Sequence, residues 1–399
     1  MIAMRPETHP VAIVLSSGMN GLGAVRALSE RGVRVVVIGE SDKDIALKSR
    51  WPVDRLAMTK HRTPAGIEEL RGLLDSISAE RAVVIPTSDW FVSALGSLRS
   101  ELPEKLSVVA PESDLARMLI DKAEEVKRIE SLVPVPATVT PLPPSAEELL
   151  ASLRLPIIVK PRSFEHMCIG GKNVVLRSAE EVRDFYARFP GVLDRVVAQE
   201  VIEGPDENLW VCNATFGRES EIIRAFTFRR LRLSPPHYGV TSYAVSERNP
   251  EVLDMVAKIG RALRYVGPAM VEFKWDPRDR VYRYIELNPR LGLANYFDTR
   301  CGMSNAFASY CVFAGVRVSD EGVQKDGVIF ASVFEDVYAR RQDGESFASI
   351  LWFYMRRASR PHVFAYWSWR DPLPWLEMTR RHGRSLIKAV VRRIHGVMR

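Results

Sequence analysis

The chain has 399 residues, 46% of them hydrophobic and 26% charged, too long for one ordinary domain and unlike a disordered or collagenous chain. No uncharged apolar run approaches a membrane-spanning length and no signal peptide is readable; Cys168, Cys212, Cys301 and Cys311 form no CxxC pair, as expected of free thiols in a reducing cytoplasm. The net charge of +7 resides wholly in residues 378–399, which hold basic residues and no acid, so the neutral remainder argues against a nucleic-acid footprint.

In chain order, VAIVL (11–15) reads as a buried strand, followed by a turn with Gly18, Gly21 and Gly23, a helix closing at Gly32 and the strand VRVVVIG. This is a βαβ opening. Its glycine spacing is not GxGxxG, although Glu40 and Asp42 after the second strand keep a nicotinamide oxidoreductase in view. A helix over 65–77, the strand-like AVVIPTSD (82–89) and a helix containing Asp121 and Lys122 follow. Residues 133–145 hold five prolines and read as a connector. Beyond it come LPIIVKPRS (155–163), a Gly170-Gly171 turn, the helix AEEVRDFYARF and the strand-like VVAQEVIEG (196–204).

VGPAMVEFKW and RVYRYIELN are β-rich runs joined by the turn Asp276-Pro277-Arg278-Asp279. A hairpin centred near Arg278 pairs Met270 with Glu286 and Glu272 with Tyr284, and puts positions 270, 272, 284, 286 and 288 on one face. Glu272, Glu286 and Asn288 then form an oxygen cluster suited to Mg²⁺ (or Mn²⁺). On spacing alone, two solvated glutamates fit the pattern as well.

PTSD (86–89), Asp121-Lys122, PATVT (136–140), IIVKP (157–161), QEVIEG (199–204), VEFKWD (271–276) and IELNPR (285–290) occur in the order found in the ATP-grasp superfamily, which this chain resembles over roughly residues 11–315. The VEF…ELNPR pair is the most specific part, and the predicted carboxylate–amine ligases are the most similar group. The resemblance implies an α/β chain, α+β in its central part. A Rossmann-like domain (1–117) precedes an ATP-grasp domain (118–318) with a lid subdomain (118–197) and a metal and substrate subdomain (198–318). An accessory region (319–377) and a basic amphipathic tail (378–399) follow.

It further implies that Lys122 and Lys160 neutralise nucleotide phosphates, that Gly170 and Gly171 lie in a mobile loop over them, and that the Glu200–Val201 backbone reads the adenine edge. Glu207 would hold the ribose, although its spacing from Gly204 is one residue longer than usual. Glu272, Glu286 and Asn288 become the metal ligands, and Arg290 the group that holds the carboxylate. One of Arg229 and Arg230 would supply a cation where relatives more often carry lysine. The implied reaction makes an acyl phosphate from ATP and a carboxylate, and then an amide. Alternatives are a carboxylase or thiol ligase, or a non-catalytic nucleotide-binding module. Expected partners are small carboxylate and amine substrates and a second copy in a homodimer, with no nucleic acid. The tail, with Leu386, Ile387, Val390, Val391 and Ile394 opposite basic residues, either docks on the body or lies on an anionic membrane; the expected location is cytoplasmic, peripheral to the inner face in the second case.

Overall fold

A computed structural model describes residues 9–163, 168–318 and 322–383. The first sheet comprises β1 (Val11–Ser16), β2 (Val35–Gly39), β3 (Asp54–Ala57), β4 (Ala82–Pro86) and β5 (Leu106–Val108). All are parallel, in the order β3-β2-β1-β4-β5. The uninterrupted β-branched runs of β1, β2 and β4 suit strands covered on both faces. On one face, α1 (Gly18–Ser29) packs Leu22, Val25 and Leu28 over Ala12, Val14 and Val35. On the other, α2 (Pro64–Asp75) and α3 (Asp89–Leu98) pack Leu70, Leu74 and Leu95 over Ile13, Leu15 and Val84.

The glycine-rich turn is a packing device. A Cβ on Gly21 would fall 1.9 Å from the Ser16 hydroxyl, and one on Gly23 2.5 Å from Asn295 Oδ1. Those glycines let α1 lie close to β1 and to the segment at Asn295.

Helices α4 (Ser113–Ile120) and α5 (Lys122–Ile129) lead to a second, antiparallel sheet in the order β6-β9-β7-β8. Its strands are β6 (Thr138–Val139), β7 (Ile157–Pro161), β8 (Val174–Leu176) and β9 (Val196–Glu200). From α6 (Ala146–Ser152) and α7 (Ala179–Arg188), Leu149, Val182 and Phe185 cover Ile157, Val159 and Ala198.

The third sheet has the order β14-β13-β10-β11-β12-β15-β16. Its strands are β10 (Leu209–Phe216), β11 (Ile222–Ser234), β12 (Val240–Ser246), β13 (Gly267–Asp276), β14 (Val281–Asn288), β15 (Ile329–Ala331) and β16 (His362–Phe364). On one face lies α8 (Pro250–Leu263), with Val252, Val256 and Ile259 against Trp210 and Phe273. On the other, α9 (Asn295–Arg300) and α10 (Asn305–Ala314) share one core with α1. The accessory region, with α11 (Val333–Gln342) and α12 (Phe347–Arg357), thus supplies two strands to the same sheet.

Asp371, in the stretch SWRDPLP (368–374), clamps this region to the first sheet. Its side chain accepts from Arg26 Nε, the Ser49 hydroxyl and the Arg50 amide, each at 2.9 Å. Arg26 is itself buried and also donates to the Ala365 and Tyr366 carbonyls.

The β13–β14 register corrects the expected one. Met270 pairs with Asn288 and Glu272 with Glu286, but Phe273 pairs with Tyr284, because the register shifts beside Glu272. The extra residue turns Tyr284 to the opposite face, where it packs with Phe273 and Leu287. The oxygen cluster survives, and Tyr284 leaves it. Of the tail, residues 378–383 continue a helical backbone, while 384–399 and their apolar stripe lie outside the described residues.

Candidate active site

The chain's course along the first sheet reverses between β1 and β4, and in such sheets ligands bind at the strands' carboxyl ends at that point. Here the Ser17 amide donates to Thr87 Oγ1 at 2.9 Å, and Asn20 Nδ2 reaches both the Thr87 and Leu291 carbonyls at 2.8 Å. The crevice therefore abuts the segment that leaves β14. Asp89, at the start of α3, accepts from Arg290 Nε at 2.7 Å, and Arg290 Nη2 also donates to Asn288 Oδ1 at 2.8 Å. Arg290 is thus held on two sides, its fork fixed at the junction of crevice and hairpin.

Next to it, Glu272 and Glu286 are cross-strand partners on one face of the β13–β14 hairpin. Each carboxylate has its own cation. Arg230 grips Glu272 with both terminal nitrogens, and Lys122 Nζ lies 3.1 Å from Glu286 Oε2. Glu286 Oε1 accepts from Asn288 Nδ2 at 3.1 Å. The charge of Lys122 holds Glu286 well below the usual carboxylate range, against its burial. Glu272 goes the other way: burial raises it, Arg230 opposes, and the neighbouring Glu286 adds to the rise.

Residue parity separates the arginines of β11. Arg230 is buried against Glu272, whereas the side chain of Arg229 bonds Glu247 Oε2 at 3.0 Å. Arg230 is the one brought to the cluster. It takes the face of Phe228, the partner of Val211, which in turn pairs with Glu272.

Lys160 ends β7, and its amine lies 3.3 Å from Gln199 Oε1 on β9. Burial lowers its affinity for a proton, and the charge of Lys122 adds to that effect, so the two lysines share one environment. Lys122 opens α5, whose cap Asp121 accepts from the Ala123 amide and is gripped by Arg162, the residue after β7. That bridge ties the lysine-bearing helix to the second sheet.

Gly170, with φ of 74°, and Gly171 lie between β7 and β8, and among the described residues none beyond its chain neighbours comes within 4 Å of where a Gly170 Cβ would sit. The Val201 amide donates to the Pro156 carbonyl at 2.9 Å, and the Glu200 side chain pairs with Arg278. Glu207 is exposed in the short 3₁₀ turn Asp206–Asn208 and is not brought to the lysines by any contact seen among the described residues. Asp206 beside it meets His237 of the β11–β12 turn at 3.4 Å.

Three residues missed by sequence reading hold the site together. Asp89 orients Arg290, and Gln199 orients Lys160. Glu125, buried on α5, accepts from the Tyr284 hydroxyl at 2.5 Å and the Leu287 amide at 2.7 Å. Burial raises Glu125 to about 7. Asp89 lies inside PTSD and Gln199 inside QEVIEG, whereas nothing in DKAEEVKR (121–128) singles out Glu125.

Among the described residues no three carboxylate, imidazole or thiol groups converge into a self-sufficient metal cage. Two carboxylates and a carboxamide fit Mg²⁺ or Mn²⁺, which draws remaining ligands from phosphate and water. Two acids facing each other across a strand pair, each needing its own cation, are the observation that favours the metal.

No family model matches the sequence. In its fold the chain is similar to ATP-grasp carboxylate–amine ligases. The chain is similar to a D-aspartate ligase of Enterococcus faecium, 24% identical over 318 residues that cover 74% of this chain and 75% of that one. Its fold is similar to the biotin carboxylase domain of the Hydrogenobacter thermophilus 2-oxoglutarate carboxylase, solved with MgADP and bicarbonate (TM-score 0.62, 15% identity, 79% of this chain and 71% of that). It is also similar to an N5-carboxyaminoimidazole synthetase from Staphylococcus aureus complexed with ADP (TM-score 0.60, 12% identity, 80% and 82%).

Proposed function

We propose that this chain joins a carboxylate to an amine at the expense of ATP, and that D-aspartate is the first carboxylate to try. The observation that carries the reading is the opposed pair Glu272 and Glu286, ringed by Lys122, Lys160, Arg230 and Arg290. Asp89 pairs with Arg290 and burial raises the Glu125 carboxyl toward its neutral form, so four cations face three charged acids, a small excess of positive charge where a polyphosphate and a substrate carboxylate would meet.

In this reading Lys122 and Lys160 bind the nucleotide phosphates, and Glu272, Glu286 and Asn288 hold the metal, which when bound neutralises charge on the phosphates. The substrate carboxylate oxygen takes the γ-phosphoryl group and ADP leaves. Arg290, fixed by Asp89, holds that carboxylate in line and stabilises the oxyanion as an amine nitrogen attacks the carbonyl carbon. The C–O bond to phosphate then breaks with its electron pair, and the nitrogen loses a proton. Arg230 supplies a second cation beside the metal ligands. Glycines 170 and 171 close over the phosphates, the Glu200–Val201 strand end borders the adenine and Glu207 the ribose. Domain limits at 117, 318 and 377, a homodimer, a cytoplasmic location and contact of residues 378–399 with an anionic membrane belong to the same proposal.

Hydroxylamine tests this without knowledge of the natural amine. Protein, ATP, Mg²⁺, hydroxylamine and D-aspartate are expected to yield aspartyl hydroxamate and ADP in equal amounts. A hydroxamate from another carboxylate alone would keep the ligase and discard D-aspartate. No carboxylate-dependent ADP across an amino-acid and dipeptide array would sink the ligase reading.

A further inference from the structure

The sheet order puts β14 at one edge and β16 at the other, and α11 and α12 pack on the strands between them, where Asp336 of α11 grips Arg232 of β11. There α12 has two unlike sides. Ile350 is buried, and Phe353 and Tyr354 meet the ring of Tyr243 at 5.4 and 6.3 Å. Turned outward are Phe347, Leu351, Trp352 and Met355, each more than half exposed (65%, 61%, 58% and 54%). At 3.6 residues per turn these four cover an arc of roughly 140°, a continuous apolar stripe on a helix already anchored by its other face.

The stripe has a basic rim. The Arg341 guanidinium lies 4.7 Å from the Phe347 ring and that of Arg356 5.9 Å from Trp352. Arg357, half-buried, stacks over Phe353 at 3.9 Å, and Arg360 is exposed just beyond the helix. Between residues 340 and 360 the acids are Asp343 and Glu345, and Glu345 is occupied by Arg340. The next segment repeats the chemistry, with Trp369 86% exposed and Leu373 and Leu376 half exposed, near Arg370. A ring stack of 4.3 Å between His382 and Phe334 ties the end of that segment to α11. Sixteen further residues, 384–399, carry five basic side chains and no acid.

We infer that this face is a docking surface for an anionic lipid bilayer, with the outward stripe of α12 entering the headgroup layer and its arginine rim meeting lipid phosphates. Helices that lie in the plane of an interface pair an apolar, aromatic-containing stripe with basic flanks in this way. No helix among the described residues is long and apolar enough to cross a membrane, so attachment through this face is in-plane. A second copy is a poor occupant. A two-fold interface brings a patch against itself, and here that would set one arginine rim against another. The inference deepens the tail contact proposed above, because it places the lipid-facing surface on a packed helix and makes the tail an adjunct.

Vesicles of phosphatidylglycerol and phosphatidylcholine, and of phosphatidylcholine alone, test it by sedimentation with the full chain at low salt. Binding is expected only with the anionic vesicles and is expected to weaken as salt rises. The double variant Leu351→Ser, Trp352→Ser is expected to lower the partition coefficient about tenfold while leaving ADP formation unchanged, since both side chains are exposed and neither is among the candidate site residues. Full binding by that variant would overturn the inference. If only the tail variant Lys388→Glu, Arg392→Glu, Arg393→Glu loses binding, the tail contact stands and the role of α12 falls. Absence of anionic binding overturns both, and a dimer seen by sedimentation velocity and abolished by the α12 variant assigns the face to a second copy instead.

Discussion

Lys122 and Arg230 each neutralise one carboxylate of the opposed pair, but the two pairs differ in cost. Lys122 and Glu286 are partly open to solvent, whereas Arg230 and Glu272 are both over nine-tenths buried. Glu286→Gln removes the carboxylate proposed to hold the metal and little volume, so ADP formation is expected to vanish with folding intact by circular dichroism. Full activity at saturating Mg²⁺ would remove Glu286 from the metal. Lys160→Ala is expected to weaken nucleotide binding by about tenfold or more, because it deletes a charge-assisted contact; calorimetry with ADP and Mg²⁺ reads it. Asp298, buried on α9 among Asn305, Asn213 and Thr299, is raised by burial from 3.8 to about 8. A folded-state carboxyl raised above its unfolded value binds extra protons between the two, so its contribution to stability falls as pH climbs from about 4 to about 8. Urea midpoints of wild type and Asp298→Asn across that window are expected to diverge in slope, the variant losing the fall. Parallel curves would show that Asp298 ionises freely.

At the scale of elements, much was legible. The parallel βαβ units, the hairpin turn and the strand ends bearing Lys160 and the ELNPR run follow from periodicity and turn chemistry. The β13–β14 register did not, because a bulge adds one residue without altering composition or alternation on either side. Which of Arg229 and Arg230 lies beside the acids was not legible for the same kind of reason: strand parity needs a partner, and Glu272 and Glu247 supply it from distant parts of the chain. Asp371 had no legible role, since its partners lie some 320 to 345 positions away. Breaking a buried pair by removing one member costs about 3–5 kcal/mol. Asp371→Ala is therefore expected to lower the denaturation midpoint sharply while ADP affinity, measured on the folded fraction, stays near wild type. An unchanged midpoint would show that the accessory region is held by its strands alone.

Across the whole molecule, three sheets divide the work. The first offers a crevice at its strand ends, the second brings Lys160 and the glycine turn, and the third brings the acids and Arg230. Asp89–Arg290 and Lys122–Glu286 cross between segments about 200 and 164 residues apart, so the site exists only when the sheets are assembled. Motif order was legible from sequence because each piece carries its own local signature; their convergence was not, because it is made by these long-range pairs. The central claim is that a carboxylate oxygen attacks the γ-phosphorus. With the carboxylate that passes the hydroxamate assay labelled with ¹⁸O, the released phosphate is read by mass spectrometry. One ¹⁸O in each phosphate formed is the expected result; product formed with unlabelled phosphate would contradict the acyl phosphate route.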